Sequence, residues 1–139
     1  VTTLRITNAT RNSILATHAT VATSPDARRI GLIGTSQREF VPGVGLFMTE
    51  CNAIHTVQMA FPIDVLFIDM MHKQVIKIGK YVQPGCHFNT LIPADLSAVL
   101  EVPAGTIEAT GTQPGDKIEL LSSAHATQED LNRIGAGRW

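Results

Sequence analysis

Residues 13–23 alternate one by one. Ile14, Ala16, His18, Thr20 and Ala22 fall on one side, and Leu15, Thr17, Ala19, Val21 and Thr23 on the other. Period-two patterning built from β-branched and small residues reads as a strand. The same texture returns in short runs at residues 4–9, 44–48, 53–59, 64–69, 74–81, 97–102 and 117–121. Turn residues separate them: 8–12, the Met70–Lys73 hairpin turn, and Gln113-Pro114-Gly115-Asp116. One helix stands out. Ser24 suits its N-cap, Pro25 its first position and Asp26 its positive end, and Ala27, Ile30 and Ile33 recur at helical spacing before Gly34. The spacing predicts a helix over 25–33, and a single helical turn over 104–109 ended by Gly111. Residues 84–94, with Pro84, Gly85 and Pro93, read as irregular. A parallel α/β sheet needs helices between most strands, and these are missing. The pattern therefore predicts a mainly β fold: a compact antiparallel β-sandwich or barrel of about seven or eight short strands, with one short helical insertion.

A chain of 139 residues is one domain's worth. Residues 1–121 form the β-rich unit. Residues 122–139 form a polar C-terminal tail, where Thr127-Gln128-Glu129-Asp130 resembles a helix-capping box ahead of Leu131 and Ile134. At 44% apolar and 17% charged, the composition excludes a disordered chain. The net charge of −1 and the scattered basic residues argue against a nucleic-acid partner. No apolar run approaches the ~18 residues of a membrane span. No signal peptide is visible, although removal of a leader would leave the same start, so the expected location is open beyond "soluble". Cys51 and Cys86 have no CxxC spacing. They read as two independent thiols, or as a disulfide in an oxidising compartment. No cofactor motif is present, and no metal is expected.

A few polar residues interrupt apolar strands. Asp64 opens the run 63–68, and Glu101 sits in Val99-Leu100-Glu101-Val102. Each must be paired, hydrogen-bonded or protonated. Together they could be an acid/base pair, or each could serve the structure alone. If 53–59 is one strand, His55 and Met59 share a face with Val57, and Thr56 lies on the other. That face reads as a core histidine with methionine filler, or as an incomplete copper-like site. Gly105 and Asp116 read as turn residues.

These residues compose a recognisable pattern. Arg28-Arg29-Ile30-Gly31-Leu32-Ile33-Gly34 is similar to an R-x-x-G-L-M-G motif with Ile33 in the Met position. The run from Ile54 to Asp69 resembles I-H-T-x-x-M-x-F-P-I-D-V-x-F-x-D. Val99-Leu100-Glu101-Val102-Pro103-Ala104-Gly105 resembles V-L-E-L-P-A-G, and Gly115-Asp116 matches a final G-D. Over residues 22–121 the chain resembles the domain of unknown function 192 family, small uncharacterised bacterial and archaeal proteins. The resemblance implies a β-rich single-domain fold and no established activity. Where that family often has a tight D-G hairpin turn, this chain has Met70-Met71-His72-Lys73.

Three functions fit these residues. The preferred one is a β-domain that binds a small molecule or a protein partner in a polar cleft, with Arg28 or Thr56 on the ligand and Asp64 orienting its neighbours. The candidate motif residues are Arg28, His55, Thr56, Met59, Asp64 and Glu101. The second is a hydrolase or metal-assisted enzyme that needs His55, Asp64 and Glu101 to converge. The third is a protein-assembly module, a homo-oligomer included, using the sheet surface at 65–68 or Trp139.

Overall fold

The computed structural model describes residues 3–122. Along the chain run β1 (Thr3–Asn8), β2 (Ser13–Ala22), helix α1 (Pro25–Ile30), β3 (Val44–Met48), β4 (Ala53–His55), β5 (Ile63–Asp69) and β6 (Gln74–Val82). Then follow β7 (His87–Asn89), a 3-10 turn at Ala94–Leu96, β8 (Ser97–Pro103), helix α2 (Thr106–Thr110) and β9 (Ile118–Ser122). Seven strands form one curled sheet in the order β6-β5-β8-β3-β2-β1-β9, and β4 pairs with β7 in a small second sheet. Strand β9 runs through Ser122, the first residue of the segment read as tail. The capping-box residues 127–130 and Trp139 lie outside the described residues.

The sheet is barrel-like at one end. Its edge strands β6 and β9 meet where Gln74 bridges Lys117. The Val75 N–H donates to the Asp116 carbonyl at 2.9 Å, and the Ile118 N–H to the Lys73 carbonyl at 2.9 Å. Neighbouring strands are antiparallel, as expected, except that β2 and β3 run parallel. A parallel pair needs a crossover of roughly a dozen residues or more. The segment carrying α1 provides it.

That crossover explains the apolar runs. In β5, Leu66 and Ile68 point into the curl of the sheet, with Leu15, Phe47 and Leu100. Val65 and Phe67 point the other way, into a second core with Leu32, Phe40, Met48, Ile54 and Met59. The crossover and the small sheet lie over that outer face. A strand covered on both sides reads as a continuous apolar run rather than an alternating one. This also corrects the assembly surface expected at 65–68: Val65, Leu66, Phe67 and Ile68 are fully buried.

Three elements differ from the sequence reading by three residues or more. Helix α1 ends at Ile30, where the Gly31 N–H closes on the Ala27 carbonyl and Gly31 leaves the helix with φ +51°. Strand β4 stops at His55, because the Thr56 carbonyl accepts the Met59 N–H in a turn and Gln58 has φ +68°. The shared His55–Val57–Met59 strand face therefore does not form. Residues 84–94, read as irregular, contain the short strand β7, which needs β4 beside it. The 70–73 hairpin turn forms without its glycine: Lys73 takes φ +51°, and the Asp69 carboxylate accepts the Met71 N–H at 3.0 Å.

Candidate functional site

Between α1 and the outer face of the sheet lies a cavity of about 240 Å³. One wall is the end of α1 and the turn after it, residues 28–33. Another is Cys51, Ala53, Ile54 and His55, with Met59 beside them. Met48 of β3 and Glu101 of β8 line it from the sheet. Three separated stretches, the 28–34 motif, the 54–59 motif and the β8 motif, thus contribute to one cavity.

Glu101 is the unusual member. Its register partners are Val65 on β5 and Leu46 on β3, so it stands on the outer face amid apolar neighbours. It is 2% exposed, and its Oε1 has no hydrogen-bond partner. Burial without a compensating charge penalises the carboxylate and pushes its pKa up to about 8. At neutral pH the group is a carboxylic acid, with one O–H to donate and a carbonyl oxygen to accept.

Arg28 is half-buried, and one guanidinium nitrogen donates to the Thr23 carbonyl at 2.6 Å. Arg29 is exposed and lies 3.4 Å from Asp26. Cys51 is a buried free thiol whose Sγ lies 3.1 Å from the Ala53 carbonyl. Burial raises its pKa, against the opposing pull of a backbone hydrogen bond from Ala53 and the charge of Arg28. His55 is exposed and faces His87 across β4–β7, ring centroids 6.2 Å apart. Met59 is buried against the cavity.

The remaining candidates belong to the scaffold. Thr56, expected at the ligand, is fully buried and does not line the cavity. Its hydroxyl donates to the Gln83 carbonyl at 2.6 Å and accepts the Cys86 N–H at 2.8 Å, pinning the 83–86 turn to the end of β4. Asp64 pairs in register with Val102 and so faces the inside of the curl, opposite to Glu101. Its carboxylate accepts the N–H groups of Tyr81 at 2.9 Å, Gly105 at 3.1 Å and Ile107 at 2.9 Å. It ties the start of α2 and the end of β6 to β5. Gly105 has φ +99°, and a Cβ there would sit 3.3 Å from the Tyr81 hydroxyl, so the site favours glycine on two counts. Of the two readings left open, the acid/base pair is thus not formed. A sheet sends adjacent residues to opposite faces, and these two carboxyls sit on opposite faces. Among the described residues, no three His, Cys, Asp or Glu side chains gather as a metal-binding group.

Asp116 was legible as a turn residue, and its Oδ2 does accept the Gln113 N–H at 2.9 Å. It also accepts from Asn8 Nδ2 at 2.9 Å and Arg11 Nε at 3.0 Å. Burial works to raise its pKa, but these hydrogen bonds and the Arg11 charge together lower it. Nothing local in sequence announces the Asn8 and Arg11 contacts, which join positions over a hundred residues apart. Cys51 and Met48 in the cavity wall were missed for the same reason. Met48 read as an ordinary strand residue and Cys51 as an independent thiol or half of a disulfide, and only the fold brings them beside Glu101.

No helix among the described residues is long and apolar enough to cross a membrane. No curated protein matches the chain. Two crystal structures share its fold. One is a protein of unknown function from Novosphingobium aromaticivorans DSM 12444, with 19% identity, TM-score 0.69, and coverage of 84% of this chain and 83% of the other. The second is a protein from Sinorhizobium meliloti 1021 named as a candidate transcription regulator, with 23% identity, TM-score 0.68, and coverage of 86% and 96%. The sequence model of DUF192 (Uncharacterized ACR) matches residues 6–120, and the chain belongs to that family.

Proposed function

We propose that this protein is a small-molecule-binding β-domain whose ligand occupies the cavity between α1 and the outer face of the sheet. One observation carries the reading. Segments far apart in sequence converge on a cavity of about 240 Å³ whose wall includes a buried carboxyl with an unpartnered oxygen. A buried polar atom without a partner costs roughly 1–3 kcal/mol, which a pure scaffold would avoid by placing an apolar residue there. A ligand that hydrogen-bonds the carboxyl offsets part of that cost. Catalysis has less support, because among the described residues no nucleophile, base and orienting group come together. The regulator name of the Sinorhizobium protein does not extend to a nucleic-acid role here. The net charge of this chain is −1, and its basic residues are scattered along the sequence.

Amide NMR of the isotope-labelled protein against a library of fragments tests the reading. Saturable shifts confined to residues 28–33, 51–59 and 99–102 are the expected result. A library that moves only other surfaces, or nothing, refutes it.

A further inference from the structure

Resting on that reading, we infer that the occupant is a small monoanion with an apolar body. Its anionic group sits by Arg28, and an acceptor oxygen at its far end meets the Glu101 carboxyl. A short oxo- or hydroxy-carboxylate has this chemistry.

Size comes first. A dry cavity of about 150 Å³ accommodates benzene, so 240 Å³ suits a molecule of roughly 6–10 heavy atoms. The body of that molecule meets apolar walls: Leu32 from the turn after α1, Met48 from β3, and Ile54 and Met59 from the opposite side.

Charge comes next. The cationic side chains in the wall are Arg28 and Arg29, and Arg29 is already within 3.4 Å of Asp26. Arg28 spends one donor on the Thr23 carbonyl, and a guanidinium has five. Among the described residues no carboxylate lies within ion-pair distance of it. The one carboxyl in the wall, Glu101, is buried and has no cation on it, so it is held neutral and does not cancel the arginines. Arg–carboxylate contacts are directional and charge-assisted, which makes an anion the complementary occupant.

The far end follows from Glu101. A neutral carboxyl in the wall of a largely apolar cavity is complemented by a carbonyl, ether or hydroxyl oxygen. An ammonium group would instead require Glu101 to ionise in its buried position, at the cost already described.

Four probes of matched length separate the parts of the proposal: hexanoate, hexanamide, hexylammonium and 5-oxohexanoate, each titrated by NMR against the full chain. The expected order is 5-oxohexanoate tightest, then hexanoate, with hexanamide and hexylammonium weaker than hexanoate by about tenfold or more, a ratio equivalent to 1.4 kcal/mol. Arg28→Gln removes the carboxylate preference. Glu101→Leu removes the advantage of the oxo group but leaves hexanoate binding, and Glu101→Gln, which keeps a donor, restores part of it. Amide spectra of the free variants report that each is folded. If hexanamide or hexylammonium binds as well as hexanoate or better, the anion assignment is overturned while the cavity reading stands. If an Arg28 variant keeps the carboxylate preference, the assignment is likewise overturned. If no probe shifts residues 28–33, 51–59 or 99–102, the proposal fails for this size and class. The cavity reading is then judged separately, by the fragment library.

Discussion

Replacing Glu101 by Gln separates the electrostatic cost of this residue from its shape. The folded protein holds the Glu101 proton up to about pH 8, whereas the same group starts from 4.5 without burial. Between those values the folded state carries a proton that the unfolded chain has released, so rising pH favours unfolding. The stability tied to this proton is fully present below about pH 4.5. It is lost progressively up to about pH 8 and stays lost above that. At roughly 1.4 kcal/mol per pH unit, the wild type should lose on the order of 2–3 kcal/mol between pH 5 and pH 7 from this group alone. Glu101→Gln keeps the volume and has no proton to lose. Urea unfolding of both proteins at pH 5, 6, 7 and 8 measures the effect, and the difference between them cancels every other titrating group. The expected outcome is a wild-type stability that falls against the variant by that amount. Parallel pH profiles would mean that Glu101 ionises normally in the folded protein. That result would sink the neutral-carboxyl argument on which the ligand assignment depends.

Other parts of the scaffold make separate predictions. Asp64→Asn keeps the shape but puts an amide donor among three backbone N–H groups, and should cost about 2–4 kcal/mol in urea unfolding; a cost under about 1 kcal/mol would show that α2 is held by other contacts. Asp116 is held below its ordinary pKa, so it contributes stability above the unfolded value that is lost as acid titrates the folded group. Below about pH 4, wild-type thermal midpoints should therefore fall faster than those of Asp116→Asn, and equal acid slopes would contradict the Asn8 and Arg11 bonds. At Gly79 a Cβ would lie 2.9 Å from the Phe88 ring and 2.9 Å from a Val82 methyl. Gly79→Ala should cost about 1–3 kcal/mol by overpacking, and a neutral effect would mean that β7 is free to move off β6.

The strand pattern was legible because a β-strand writes its two faces directly into the sequence. Strand β3 was predicted at its observed boundaries, 44–48, and β2, β5 and β8 to within one residue at each end. The short elements were not legible. β7 has three residues and exists by pairing with β4, and β4 ends early because the Thr56 carbonyl accepts the Met59 N–H. Neither event has a local propensity signal. The parallel placement of β3 beside β2 was hidden too, since a crossover and a long hairpin loop share the same composition. The site was half-legible for a related reason. Arg28, His55, Met59 and Glu101 drew attention as polar or sulfur-bearing residues in ordered segments, and all four line the cavity. Thr56 and Asp64 drew the same attention, yet they serve the scaffold. Sequence shows that a buried polar group needs a partner, but not whether that partner is the backbone.

That last distinction separates Asp64 from Glu101, which sit on neighbouring strands in equally apolar runs. Asp64 is completely buried, and three N–H groups complete its carboxylate. Glu101 is 2% exposed, and one of its oxygens has no partner. One residue of register decides the difference. Val102 stands opposite Asp64 and Glu101 opposite Val65, so one carboxyl turns inward, toward the loop that begins α2, and the other outward, under the crossover. Inward, the backbone of α2 has unbonded N–H groups to offer, as every helix start does. Outward, its surroundings include Leu46, Met48 and the Cys51 thiol, and none of them bonds its Oε1. An apolar residue at position 101 would fit the same strand with less cost. Under the proposed reading a ligand in the cavity supplies to Glu101 what the backbone already supplies to Asp64.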